Sequence, residues 1–209
     1  MPQKQLVVPK MDDAAFDNKA PMQSMAAIVL DQVPWASYSY LPIVTAYMAY
    51  SDQAFYLYWK VSEAYFRATV KEHNGLVYED SCVEFFLSLD GSTYYNIEFN
   101  ALGYGLIGYG NSDKRSRVNL PVEMVSKIGV SSNNILSNDG IIDWDLLLRI
   151  PYEVFIHHDF EAPKGMQLTA NFYKCGDKCE KPHFVAWNRI NAEQPNFHVP
   201  TFFGNIVLG

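Results

Sequence analysis

Residues Tyr78–Gly103 read YEDSCVEFFLSLDGSTYYNIEFNALG. Two runs rich in apolar residues flank Asp90-Gly91-Ser92, and turn residues between such runs signal a β-hairpin. Side chains alternate between faces along a strand. In the first run Val83, Phe85, Leu87 and Leu89 share one face, and Cys82, Glu84, Phe86 and Ser88 share the other. In the second, Tyr95, Ile97 and Phe99 oppose Tyr94, Asn96, Glu98 and Asn100. A three-residue loop sets Leu89 opposite Thr93. The register then places Glu84 opposite Glu98, Phe86 opposite Asn96 and Cys82 opposite Asn100.

The same reading extends outward. IVTAYMAYSDQAFYLYWKVSE (43–63) reads as two aromatic strands joined by the polar turn Ser51-Asp52-Gln53. IIDWDLLLRIP (141–151) alternates Trp144, Leu146, Leu148 and Ile150 against Asp143, Asp145, Leu147 and Arg149 before stopping at Pro151. KQLVV, MQLTANFYK and FFGNIVLG supply further strands. The first 35 residues, broken by Pro2, Pro9, Pro21 and Pro34, are otherwise irregular. Helical signal is confined to PVEMVSKI and PYEVF, each with Pro at a first helical position. Many short strands without long amphipathic helices predict an all-β fold, a two-sheet antiparallel β-sandwich with few short helices. No linker or repeat divides residues 1–209, so one domain is expected. Trp59 and Trp144 alternate with apolar residues and are expected in the core, whereas Trp35 fits either core or surface.

Composition narrows the partners. The 209 residues carry a formal charge of −7, and the densest basic cluster is SDKRSRVN (112–119). No nucleic-acid partner is expected from so acidic a chain, because phosphate binding needs clustered Lys and Arg. SDKRSRVN is read as a solvated loop. No apolar run approaches the ~20 residues that span a bilayer, so no membrane partner is expected. The start shows no signal-peptide core, which points to the cytoplasm as the sequence stands, and to an extracellular or periplasmic place if a leader has been removed.

Two constellations carry chemistry. Glu84 and Glu98, opposite each other, have Cβ atoms ~4.5–5.5 Å apart, where like charges repel unless a cation, a shared proton or an Arg compensates. That face suits sugar binding, a cation site or an acid–base pair, and each Glu finds its own partner if the register is otherwise. The second is NFYKCGDKCEKPHFVAWNRI (171–190), with Cys175, Cys179 and His183 at four-residue steps. This spacing fits a loose zinc knuckle, with His198 or Asp177 as a fourth ligand, or a short-loop disulfide. Gly176-Asp177 forms a turn there, and the expectation is a loop without zinc. His198 is expected to orient the loop before the last strand, and His157 and His158 to lie exposed.

YEDSCVEFFLSLDGSTYYNIEFNALG, IDWDLLLRIPYEVF and the C-terminal NFYKCGDKCEKPHFVAWNRINAEQPNFHVPTFFGNIVLG resemble family 9 carbohydrate-binding modules and their single-domain relatives, from about Gln5 to Leu208. The resemblance implies non-catalytic binding of a mono- or oligosaccharide partner clamped between Trp rings, with acids, amides and Arg on its hydroxyls. Some members carry structural calcium; no other cofactor is implied. Carried over, Trp187 matches the ligand-side Trp. Glu98, Asn100, Asp80 and Glu84 match polar strand positions. Tyr78 stands where the second ring is sought. Asn96, Arg149 and His183 complete the expected site. Two other functions fit the residues: a glycoside hydrolase using Glu84 and Glu98, and a DOMON-like interaction or sensor domain with no sugar site.

Overall fold

The computed structural model describes residues 3–13 and 19–209. Among these residues thirteen strands lie in two sheets. The larger contains β1 (Gln5–Val8), β13 (Gly204–Leu208), β11 (Gln167–Cys175), β5 (Cys82–Ser88), β6 (Tyr94–Asn100), β7 (Gly105–Gly110) and β8 (Val118–Asn119) in that order, with β12 (Phe184–Ala186) also paired to β11. The smaller runs β2 (Ile28–Val29), β3 (Ile43–Tyr50), β4 (Ala54–Glu63), β10 (Ile141–Pro151) and β9 (Gly129–Asn138). Pairings between these strands are antiparallel except β1 with β13. The result is a β-sandwich.

The apolar alternation explains the layering. Val83, Phe85 and Leu87 of β5, with Tyr95, Ile97 and Phe99 of β6, share the central core with Leu57 and Trp59 of β4 and Leu146 and Leu148 of β10. At ~25 cal/mol per Å² of apolar surface removed from water, this burial is the main term holding the sheets together. Trp59 and Trp144 are buried, and Trp35 joins a second apolar cluster on the outer face of the larger sheet. The two segments with helical signal each form a single turn, α2 (Val122–Val125) and a 3-10 turn over Tyr152–Val154. The N-terminal region holds more structure than its prolines suggest, because α1 (Lys19–Gln23) and β2 form there. Pro2 lies outside the described residues.

Trp187 corrects the sequence expectation. Its ring is 5% exposed and belongs to the central core, edge-on to Phe172 with centroids 5.5 Å apart. It also packs on Gly204, where an added Cβ would fall 2.4 Å from Cζ3 of the indole. The Trp187 amide donates to the Phe172 carbonyl at 2.9 Å. That bond carries the pairing with β11 one residue past β12, and Val185 and Trp187 both lie in the central core.

Candidate functional site

The hairpin register carries Glu84 opposite Glu98, Phe86 opposite Asn96 and Cys82 opposite Asn100. Both carboxyls therefore stand on the outer face of the larger sheet, where one pocket of about 490 Å³ opens. Its floor is Glu84, Asn96, Glu98 and Gly108, and Cys175 and Asp177 border it. Its walls include Tyr78, Phe184 and Phe197. Tyr78 comes from a 3-10 turn (Val77–Glu79), which the loop after β11 grips: the amides of Asp177 and Lys178 donate to the carbonyls of Tyr78 and Glu79 at 3.1 and 3.0 Å. Gly108 pairs with Asn96 across β6 and β7, and a Cβ there would fall 2.4 Å from Asn96 Oδ1. Only glycine leaves the Asn96 amide room to lie across the floor.

A polar relay crosses this floor. Arg117 donates from Nη2 to Asn96 Oδ1 in a short contact and stands 3.9 Å over the Tyr94 ring. Asn96 Nδ2 in turn donates to Glu98 Oε1 at 2.8 Å. Among the described residues no donor reaches the buried Glu98 Oε2, nor Asn74 Oδ1, also at the pocket. The Cys175 thiol donates to Glu84 Oε1 at 3.0 Å. His198 Nδ1 meets the Tyr94 hydroxyl at 3.0 Å.

Burial governs the protonation of these groups. It raises Glu98 to about 7, aided by the nearby Asp177 charge and opposed by the bond from Asn96. Burial, then the facing Glu98, raises Glu84 well above the ordinary carboxylate range. Asp177 is pushed up to about 6, again mainly by burial. Burial and then Arg117 lower His198 to about 3, so this ring is neutral at pH 7. A carboxyl whose pKa is higher folded than unfolded binds more protons when folded, so its contribution to stability falls as pH rises between the two values. For Glu98 that window runs from about 4.5 to about 7. Melting temperature is therefore expected to fall from pH 5 to pH 8, and Glu98→Gln to flatten the fall. An equal slope in both proteins would show that Glu98 is solvated.

Four of the expected site residues line this pocket: Tyr78, Glu84, Asn96 and Glu98. The others do not. Asp80 and Asn100 are fully buried braces. Asp80 accepts from the Thr69 and Val70 amides and from Asn100 Nδ2, and pairs with Arg67 at 3.2 Å. Asn100 Oδ1 accepts from the Leu102 and Tyr104 amides, and its Nδ2 also donates to the Val70 carbonyl. Their polar atoms hold the covering loop, and neither residue lines the pocket. Arg149 lies on β10 in the opposite sheet, paired with Asp13 at 2.9 Å. His183 is fully buried beside Lys174, with Nε2 to Nζ 2.8 Å.

The Cys175-Cys179-His183 spacing does not close on itself, and all three cysteines are free thiols. Cys175 turns to the outer face, while Cys179 Sγ rests 3.8 Å from Ser81 Oγ. His157 is exposed and stacks on Tyr109 at 4.0 Å, but His158 is half-buried, bonded to Tyr95. Arg117, Asn74, Asp177, Phe184 and Phe197 are pocket residues that alternation does not reveal.

The chain matches the model of carbohydrate-binding family 9 over residues 14–208. Its fold superposes with a TM-score of 0.90 on the crystal structure of a candidate carbohydrate-binding protein from Bacteroides uniformis, at 34% identity and covering 100% of both chains. Family 9 modules from Caldicellulosiruptor kristjanssonii share the fold at much lower identity. The cellotriose complex gives a TM-score of 0.67 at 13% identity over 98% of this chain and 93% of that one. The glucose complex gives 0.62 at 14% identity over 99% and 96%. No curated protein matches the chain. By its sequence over nearly its whole length, and by its fold, the chain belongs to carbohydrate-binding family 9.

Proposed function

We propose that this protein binds a mono- or oligosaccharide in the pocket on the outer face of the larger sheet, without catalysing its cleavage. The observation that carries this reading is the pair of acceptors to which no described residue donates, Glu98 Oε2 and Asn74 Oδ1, in a pocket that also holds aromatic side chains. A buried polar atom left unpaired costs ~1–3 kcal/mol, and a sugar hydroxyl that donates to it removes that cost. The apolar C–H face of a pyranose suits Tyr78, Phe184 or Phe197, and this reading replaces stacking on Trp187. Family membership supports the ligand class, and the Caldicellulosiruptor modules bind cellotriose and glucose. One open site with few anchors is expected to bind in the ~1 mM to 1 μM range.

Titration calorimetry with glucose, cellotriose and a broad monosaccharide panel tests this. At least one sugar is expected to bind the wild type. Glu98→Ala and Arg117→Ala are each expected to weaken it about ten-fold, a loss of ~1.4 kcal/mol, while Arg149→Ala, on the other sheet, leaves affinity unchanged. Binding untouched by Glu98→Ala would place the site elsewhere.

The cross-strand Glu84–Glu98 pair also fits the closely spaced carboxyls of a retaining glycosidase. Such an enzyme needs one ionised nucleophile, whereas both carboxyls here are buried and raised. Release of aglycone from aryl glycosides, lost in Glu84→Gln, would favour that reading over binding alone.

A further inference from the structure

Cys82 and Cys175 are direct cross-strand partners on β5 and β11. Glu84 lies two residues beyond Cys82, on the same face. One donor atom from each, two thiol sulfurs and a carboxylate oxygen, lie within 4.8 Å of one another. Cysteines meeting so closely need a reason, and these make no disulfide. Zinc bonds to sulfur at ~2.3 Å and to carboxylate oxygen at ~2.0–2.2 Å, so donors around a tetrahedral ion stand ~3.5–3.8 Å apart. Cys175 Sγ and Glu84 Oε1 are already at 3.0 Å, so small side-chain rotations bring the three donors to that spacing. The second observation comes from Glu98. It stands opposite Glu84, is 5% exposed, and its Oε2 has no donor among the described residues. Glu84, Cys175 and Glu98 all reach the pocket, so an ion has an entry path and the fourth position an oxygen to fill it.

We propose that Cys82, Cys175 and Glu84 bind one thiophilic divalent cation of the zinc–cadmium class, with its fourth position open to Glu98 or to a ligand oxygen in the pocket. Soft thiolate donors select such an ion over magnesium or calcium. This is a different site from the Cys175-Cys179-His183 spacing and shares only Cys175 with it. Binding breaks two S–H bonds, forms two metal–sulfur bonds and releases two protons to solvent, with a third where Glu84 is protonated. No electron is transferred. Each proton released makes affinity rise about ten-fold per pH unit, so a rise of about a hundred-fold or more per unit is expected while the thiols remain protonated.

Cadmium titration of the full chain tests the site. One equivalent is expected to produce a thiolate-to-cadmium charge-transfer band in the ultraviolet and to raise the melting temperature, more so at pH 8 than at pH 6. Cys82→Ser and Cys175→Ser are expected to abolish the band. Cys179→Ser retains it, since Cys179 lies outside the cluster. Glu84→Gln keeps both thiolates, and is expected to keep the band and lose about ten-fold or more in affinity. If the serine variants fail to fold, the Cys179→Ser and Glu84→Gln results still decide. No band in the wild type, a band that survives Cys82→Ser, or a band lost in Cys179→Ser each overturns the proposal. None of these outcomes depends on whether a sugar binds.

Discussion

Trp187→Ala is expected to lower stability by ~3–5 kcal/mol, the cost of truncating a large buried ring and leaving a cavity behind. In a chain of this size 1 kcal/mol moves the melting temperature by ~2–4 °C, so a fall of about 6–20 °C is expected. The reason is the packing. The indole lies edge-on to Phe172 and closes on the bare backbone of Gly204, with 5% of its surface exposed. No pocket atom comes from Trp187. Measured at a temperature where the variant is folded, sugar affinity is therefore expected to stay close to that of the wild type. A stacking Trp would show the reverse: unchanged melting and lost binding. Thermal melts and calorimetry on the same sample separate the two, and the reverse pattern would return Trp187 to the site.

Trp187 also shows where the sequence stops being legible. Alternation over Val185–Asn188 pairs Val185 with Trp187, which already allows burial, while likeness to a ligand-side Trp argues for exposure. The backbone bond to Phe172 decides for burial, and that contact spans the whole β12 connection. By contrast, the register of β5 and β6 is legible from a local count. The period is two and the turn is short, so one hairpin fixes every opposite pair, including Glu84 with Glu98. Asp80 and Asn100 were legible as polar positions but not in role. Their partners are backbone amides of loops, which carry no side-chain signature. Arg117 sits in the basic cluster read as solvated, yet it reaches Asn96 across the β7–β8 connection. Asp177 arrives through a turn. Loop residues meet strand floors by tertiary packing, and no periodicity in the chain encodes that meeting.

Lys174→Met is expected to cost ~3–5 kcal/mol, because removing one partner of a buried ion pair strands the other charge. Lys174, Glu63 and His183 are buried. The ammonium pairs with Glu63 Oε2 at 2.9 Å and hydrogen-bonds His183 Nε2 and the Cys175 carbonyl, each at 2.8 Å. His183 completes the set as a neutral ring, held down at about 3 by burial and then by the Lys174 charge, with Nδ1 donating to the Lys181 carbonyl at 3.0 Å. Glu63 also takes the Trp144 indole N–H on Oε1 at 2.7 Å. Glu63 belongs to β4 and Lys174 to β11, so the ion pair joins the two sheets across the core. Its location ties stability to the site. Lys174 faces inward while its neighbours Tyr173 and Cys175 face the outer surface. A one-residue slip of β11 would reverse these faces. It would bury Cys175 in the core and set the ammonium among the pocket carboxyls. The ion pair thus opposes the slip that would destroy the pocket. Glu63→Gln combined with Lys174→Met is expected to lose less than the sum of the two single changes, since neither charge is then stranded. Denaturant melts of the four proteins measure this coupling. A Lys174→Met protein within ~0.5 kcal/mol of the wild type, the range of ordinary surface substitutions, would place the ammonium in solvent instead.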